Sequence, residues 1–197
     1  LTAMYLNNGH IEKAEVLMDR FLKGNPRHYD AQSVRARIHE RRGELMKALN
    51  IYDKLTKMYP TNADAYLIRA YLFRTIEQKH DEFLHYKKLL NAPICNHLEH
   101  YPVDKLPRGS CKDWKNMLER CRPYYDAFIG GVGGYAKSLI DFDSAINLSE
   151  APAHVYENRS MAREKTGDME GACLDYYMSV EMDPSRKNLE RETRLCI

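Results

Sequence analysis

The sequence predicts an all-α protein, a solenoid of stacked antiparallel helix pairs, and three observations carry that prediction. Residues of one type recur every 34 positions: Gly9 with Gly43, Ala14 with Ala48 and Pro26 with Pro60. A fixed period in this range marks a repeat architecture. Between these glycines and prolines, aromatic and aliphatic residues stand at helical spacing, as Tyr52 and Leu55 do. Finally, 44% apolar and 29% charged residues are those expected of a soluble protein, and a mean hydropathy of -0.63 with no long apolar run argues against a membrane-spanning helix.

The elements follow in order. The first unit, residues 1–26, keeps Tyr5, Gly9, Ala14, Met18 and Phe21 but lacks most of a first helix, so the sequence is expected to start inside a repeat. Leu1 to Leu6 are followed at once by Asn7, Asn8 and His10, which carries neither a secretory nor a lipidation pattern. In the second unit, Ala36 and Ala48 let two helix backbones approach, Tyr52 and Leu55 fill the groove beside them, and Gly43 lets the chain turn. Pro60 ends the second helix because it cannot extend a helical hydrogen-bond ladder. The third unit opens at Asn62-Ala63-Asp64-Ala65-Tyr66. It places Ala70, Phe73, Tyr86 and Leu89 on the pattern, with Glu77 where glycine is expected and Glu82 where alanine is expected.

The period then breaks. Tyr86 and Phe142 are taken as equivalent, and the 56 residues between them exceed one period by 22. The excess begins near Pro93 and runs through His100-Tyr101-Pro102 and Lys105-Leu106-Pro107-Arg108-Gly109, a proline-rich, polar stretch expected to be a loop. Trp114, Met117, Leu118 and Cys121 return to helical spacing, so residues 112–122 are expected to form the displaced first helix of a fourth unit, ended or kinked at Pro123. Gly130 to Gly134 then turn into a second helix from Tyr135 to Leu148. A last unit carries Ser160, Gly167, Ala172, Tyr176, Ser179 and Pro184, with Gly133–Gly167 and Phe142–Tyr176 again 34 apart. Asp183-Pro184 reads as the start of a capping helix bearing Leu189 and Cys196. The expected organisation is three repeats in 1–92, an insertion loop in 93–111, two repeats in 112–184 and the cap in 185–197.

These residues resemble the tetratricopeptide repeat, a helix-turn-helix unit with small residues at the helix crossing, an aromatic in the second helix and a closing proline. The resemblance covers roughly three quarters of the chain. It implies a right-handed α-solenoid and a non-catalytic scaffold whose first helices line a concave groove for a partner peptide or helix. Carried onto this sequence, the groove positions include Asp30, Ser33, Val34, Arg37 and Arg41; Asp64, Leu67, Ile68, Tyr71 and Arg74; and His154, Glu157, Asn158, Met161 and Lys165. The partner-binding candidates are Arg37, Arg41, Leu67, Ile68, Tyr71, Arg74, Asn158 and Met161. Apolar partner side chains would meet Leu67, Ile68 and Tyr71, with the arginines open to carboxylates; alternatively, Leu67 and Ile68 pack against the next helix. One branch of the family clamps a chaperone's C-terminal carboxylate, but Val34, Ile68, Asp30 and Asp64 stand where that clamp needs asparagine or basic residues. A second function class is an architectural subunit of a larger, or self-assembled, complex packed through outer faces and the 93–112 insertion.

Other chemistry is thinly represented. Thirty basic and twenty-eight acidic residues leave a net charge of +2, which argues against a nucleic-acid partner. Gly131 to Ser138 comes one substitution short of a phosphate-binding loop, with Ala136 before Lys137 and no strand ahead of it, so it is read as an interhelical turn. Cys95, His97, His100 and Cys111 are candidate zinc ligands that could staple a loop lacking its own core; the other reading is unpaired side chains, and no cofactor is otherwise expected. Eight histidines are scattered with no nucleophile or carboxylate pattern recurring around them, so no catalytic residue is nominated. Five cysteines in a chain large enough for a hydrophobic core point to a reducing, intracellular, cytoplasmic setting. On the same reasoning Cys173 and Cys196 are expected to be small buried hydrophobes.

Overall fold

The computed structural model describes residues 2–90, 111–131 and 133–196, and every regular element among them is helical. The helices are α1 (Thr2–Asn7), α2 (Ile11–Gly24), α3 (Tyr29–Arg41), α4 (Leu45–Met58), α5 (Ala63–Leu90), α6 (Cys111–Ile129), α7 (Tyr135–Leu148), α8 (Ala153–Thr166), α9 (Met169–Met182) and α10 (Leu189–Cys196). A 3-10 turn, Pro184–Arg186, precedes α10.

Glycine in the left-handed region makes the turn between paired helices, at Gly9, Gly43, Gly133 and Gly167. At each turn the residue after the glycine donates a backbone hydrogen bond to a carbonyl near the end of the first helix. The four bonds are His10 to Tyr5 (2.8 Å), Glu44 to His39 (2.9 Å), Gly134 to Phe73 (3.2 Å) and Asp168 to Arg163 (3.0 Å). Three of them join neighbouring residues of one continuous turn. The bond from Gly134 reaches back to Phe73 across the whole intervening segment.

That bond corrects the expected arrangement of the third and fourth units. The break expected at residue 77 is absent: α5 runs through it for 28 residues, about 42 Å. Glutamate cannot adopt the left-handed turn as glycine does, and Ile76-Glu77-Gln78-Lys79 are residues that a helix accommodates. Helix α6 is not the first helix of a new pair with α7. It lies along the second half of α5, with Phe83 and His80 stacked on Tyr125 at 4.2 and 5.5 Å and His80 on Phe128 at 4.1 Å. It also continues through Pro123, which neither ends it nor marks its boundary. Helix α7 packs instead on the first half of α5, where Tyr71 meets Phe142 edge-on at 5.5 Å.

The third unit is therefore α5 up to Ile76 paired with α7, and the rest of α5, residues 91–110 and α6 are inserted at its turn. Paired salt bridges measure the excursion. Arg159 holds Asp175, 16 positions away, in the same geometry in which Arg69 holds Asp141, 72 positions away. The difference, 56 residues, replaces the expected excess of 22. Tyr52, Phe142 and Tyr176 occupy one repeat position and are all essentially inaccessible to solvent; Tyr86, expected to share that position, is only half-buried.

The inserted hairpin closes against the second unit. Ala127 is buried with Leu45, Leu49, Phe73 and Ile76, and Tyr124 and Phe128 pack on that cluster. The Pro123 ring comes so near Gly43 that a Cβ there would lie 3.1 Å from it. At the far end, α10 covers the last pair. Leu195 is buried on Ala172 and Tyr176, while Arg191 donates to Ser160 Oγ at 2.9 Å. Cys173 and Cys196 are not separate hydrophobes: they form a disulfide joining α9 to α10, with Cα atoms 5.3 Å apart. Cys121 is buried and free.

Candidate functional site

The first helices α3, α5 and α8 present the expected groove residues, and the structure sorts these residues into different environments. Leu67 and Ile68 are half-buried in packing between units, Leu67 beside Ala70, Phe142 and Val155 and Ile68 against the cluster of Tyr52 and Leu72. Their apolarity serves the stack, which is the alternative their helical spacing left open.

Tyr71 lies where α5 faces α8. Its ring stacks on His154 at 6.5 Å and meets Phe142 on the other side. Its hydroxyl is buried with the Asn158 amide as its polar neighbour, and Nε of Arg74 one turn further on is buried without a hydrogen bond among the described residues. Burial first of all pushes the Tyr71 pKa up, offset by Arg74 and by the nearby Asn158 amide. Asn158 donates one of its two amide N–H groups to the His154 carbonyl at 2.6 Å, leaving the second beside Tyr71 and its side-chain oxygen as an acceptor. Met161 is half-buried and holds the repeat position in α8 that Tyr71 holds in α5.

Arg37 and Arg41 are exposed and lie elsewhere, on α3 under the inserted hairpin. They line a cavity of about 520 Å³ together with Lys79 of α5 and Arg120 and Tyr124 of α6. Sequence periodicity does not bring Arg120 to Arg37, because it assigns them to different units.

A network that spacing could have revealed runs beneath the groove. Arg69 grips Asp141 through two bonds of 2.8 Å and reaches Asp53 at 2.7 Å, while Arg159 grips Asp175 at 2.8 and 2.6 Å and reaches Asp143 at 2.7 Å. Each arginine thus ties its own second helix to that of the preceding unit. Asp53–Arg69, Asp143–Arg159 and Arg159–Asp175 each show the same 16-residue separation. Desolvation raises the pKa of buried Asp141, and the paired Arg69 opposes that rise.

Of the zinc candidates, Cys95, His97 and His100 lie outside the described residues, and so does the side chain of Cys111. The described residues include no metal-holding group of histidine, cysteine or carboxylates. The stretch resembling a phosphate loop is a turn between helices in which Lys137 donates to the Gly131 carbonyl at 2.6 Å. No helix among the described residues is long and apolar enough to cross a membrane.

Residues 5–63 match the sequence model of the tetratricopeptide repeat. Among solved structures, a tetratricopeptide repeat protein from Parabacteroides merdae is 20% identical over 99% of this chain and 80% of its own, with a TM-score of 0.35. A thermophilic TPR protein of Thermus thermophilus is 18% identical over 99% of this chain and 93% of its own, with a TM-score of 0.39. No curated protein matches the sequence.

Proposed function

From the match of residues 5–63 to the tetratricopeptide repeat, we propose that the chain works as a non-catalytic scaffold that holds a peptide or helix of a partner protein against α5 and α8. The observation that carries this reading is the pair of half-buried side chains on one face of α5, Tyr71 and Arg74, of which Arg74 Nε has no hydrogen-bond partner among the described residues. They stand beside the Asn158 acceptor and the His154 ring. A bound peptide offers carbonyls to the Arg74 guanidinium and an N–H to the Asn158 side-chain oxygen. A groove between first helices suits extended or helical segments.

The test is selection of peptides from a random library on the purified chain, followed by affinity measurement with Arg74→Gln plus Asn158→Ala. Selected peptides should bind the variant roughly tenfold or more weakly. Unchanged affinity would place the binding surface elsewhere.

A second reading, an architectural subunit packed through outer faces, is favoured by one specific feature. Ile140 of α7 and Leu174 of α9, 34 positions apart, are 67% and 59% exposed, with Met178 and Met182 also open on α9. Sedimentation over a range of concentrations, compared with Ile140→Lys plus Leu174→Lys, distinguishes self-association through that face from a monomeric scaffold.

A further inference from the structure

We infer that the cavity between α3 and the inserted hairpin is a second binding site, specific for an acidic peptide segment, in which Arg37, Arg41 and Arg120 take adjacent carboxylates. Charge bookkeeping inside the cavity supports this. Each carboxylate lining it already has a partner: Glu40 accepts from the Tyr52 hydroxyl, Glu82 from Lys79 at 2.7 Å and Glu119 from Arg122 at 3.2 Å. Arg42 in turn is held by Glu15 at 2.6 Å.

Arg37, Arg41 and Arg120 have no ion pair among the described residues, although Glu40 is near enough to Arg37 and Arg41 for their charge to favour its ionised form. The three guanidiniums come from two elements distant in sequence that only the inserted hairpin brings together. Guanidinium forks match carboxylates in two-point geometry, and several convergent arginines are a recurrent way to read acidic motifs.

The cavity also selects among anions. At about 520 Å³, recessed between helices and walled by Met117 and Tyr124, it accommodates the carbon stems of peptide side chains. A continuous phosphate backbone needs an extended basic stripe, whereas these three arginines converge on one recess. The site shares neither Tyr71 nor Arg74 with the groove, so it stands or falls independently of the groove reading.

Isothermal titration of the full chain with a hexaglutamate peptide tests the inference, with hexaglutamine and inorganic pyrophosphate as comparison probes. Hexaglutamate should bind and hexaglutamine should not. Arg37→Ala plus Arg120→Ala should weaken binding at least roughly tenfold, since a hydrogen bond to a charged group is worth about that factor or more. Arg37→Lys plus Arg120→Lys, which keeps the charge but loses the two-point fork, should bind more weakly than the parent and more tightly than the alanine pair, and Arg74→Gln should leave affinity unchanged. All of these side chains lie at or near the surface, and thermal melts confirm that the variants fold. Absence of hexaglutamate binding, equal binding by the alanine pair, or pyrophosphate binding as tightly as the peptide would overturn it.

Discussion

The third and fourth units make the same object from differently connected chain. In the fourth, α8 turns directly into α9 at Gly167; in the third, α5 runs past the turn and the chain returns only at Gly133. Yet the turn hydrogen bond, the arginine bridging two second helices and the buried aromatic are reproduced position for position. The unit is thus specified by its contact surfaces rather than by chain continuity. The turn tolerates a long insertion because loop-closure entropy grows only slowly with length. The inserted helices also bury their own apolar face, Phe83 with Tyr125 and Ala127 with Leu45.

If the two units are equivalent, removing the same group from each should have the same effect. Asp141→Ala and Asp175→Ala each strand a partly buried guanidinium and should each cost about 3 to 5 kcal/mol in urea unfolding. A large effect at Asp175 with a negligible one at Asp141 would break the equivalence.

The fourth unit has a covalent clamp with no counterpart described in the third. Reducing the Cys173–Cys196 bond, which spans 23 positions, should lower stability by about 3 kcal/mol and cut hydrogen-exchange protection in α10. Protection in α7 should hold. Such a bond does not persist in a reducing cytosol, so counting alkylated thiols in protein isolated from its source would also report on the compartment.

The glycines differ in the space around them. A Cβ at Gly133 would lie 2.5 Å from Ile76 Cγ2, whereas nothing approaches one at Gly167. Gly133→Ala should therefore cost about 2 to 3 kcal/mol and Gly167→Ala about 1 kcal/mol, since both strain the backbone but only the first also displaces α5.

The smallest effect is expected at Glu40, outside both units. Burial raises its pKa first of all, with Tyr52, Arg37 and Arg41 opposing. The folded chain holds this proton to higher pH than the unfolded chain, so stability falls as pH rises through the range just above ordinary glutamate titration. Glu40→Gln keeps an acceptor for Tyr52, should change stability by no more than about 1 kcal/mol, and should flatten that slope in melts across the mildly acidic range.

The second and last helix pairs were readable from Ala36, Gly43, Ala48, Gly167 and Ala172, because a residue's repeat position and its helical face coincide there. The insertion shows in the sequence as a break in period, but the period alone does not fix its place or size. Tyr86 sits where a contiguous third unit would put its aromatic, and amphipathic spacing shows that a segment is helical without showing which helix covers it. Glu77 and Glu82 were the signals that the unit was not contiguous, and the 16-residue arginine–aspartate spacing would have identified α7 as the true partner. Leu67 and Ile68 could not be divided between groove and core by spacing, and Cys173 and Cys196 become neighbours only once α10 folds back onto α9.

The most direct test of the interrupted repeat is to remove what interrupts it. Ile76 and Gly133 hold the positions of the adjacent Thr166 and Gly167, so deleting residues 77–132 should leave a contiguous third unit. Thermal unfolding of that chain, followed by circular dichroism, should show the helicity of the remaining helices lost in one cooperative transition. The midpoint should be lower, because Leu45, Leu49 and Ile76 lose the cover of Ala127 and Phe128. A broad, non-cooperative melt, with helicity below that of the remaining helices, would show that α7 depends on the hairpin and that the third unit is not a repeat in its own right.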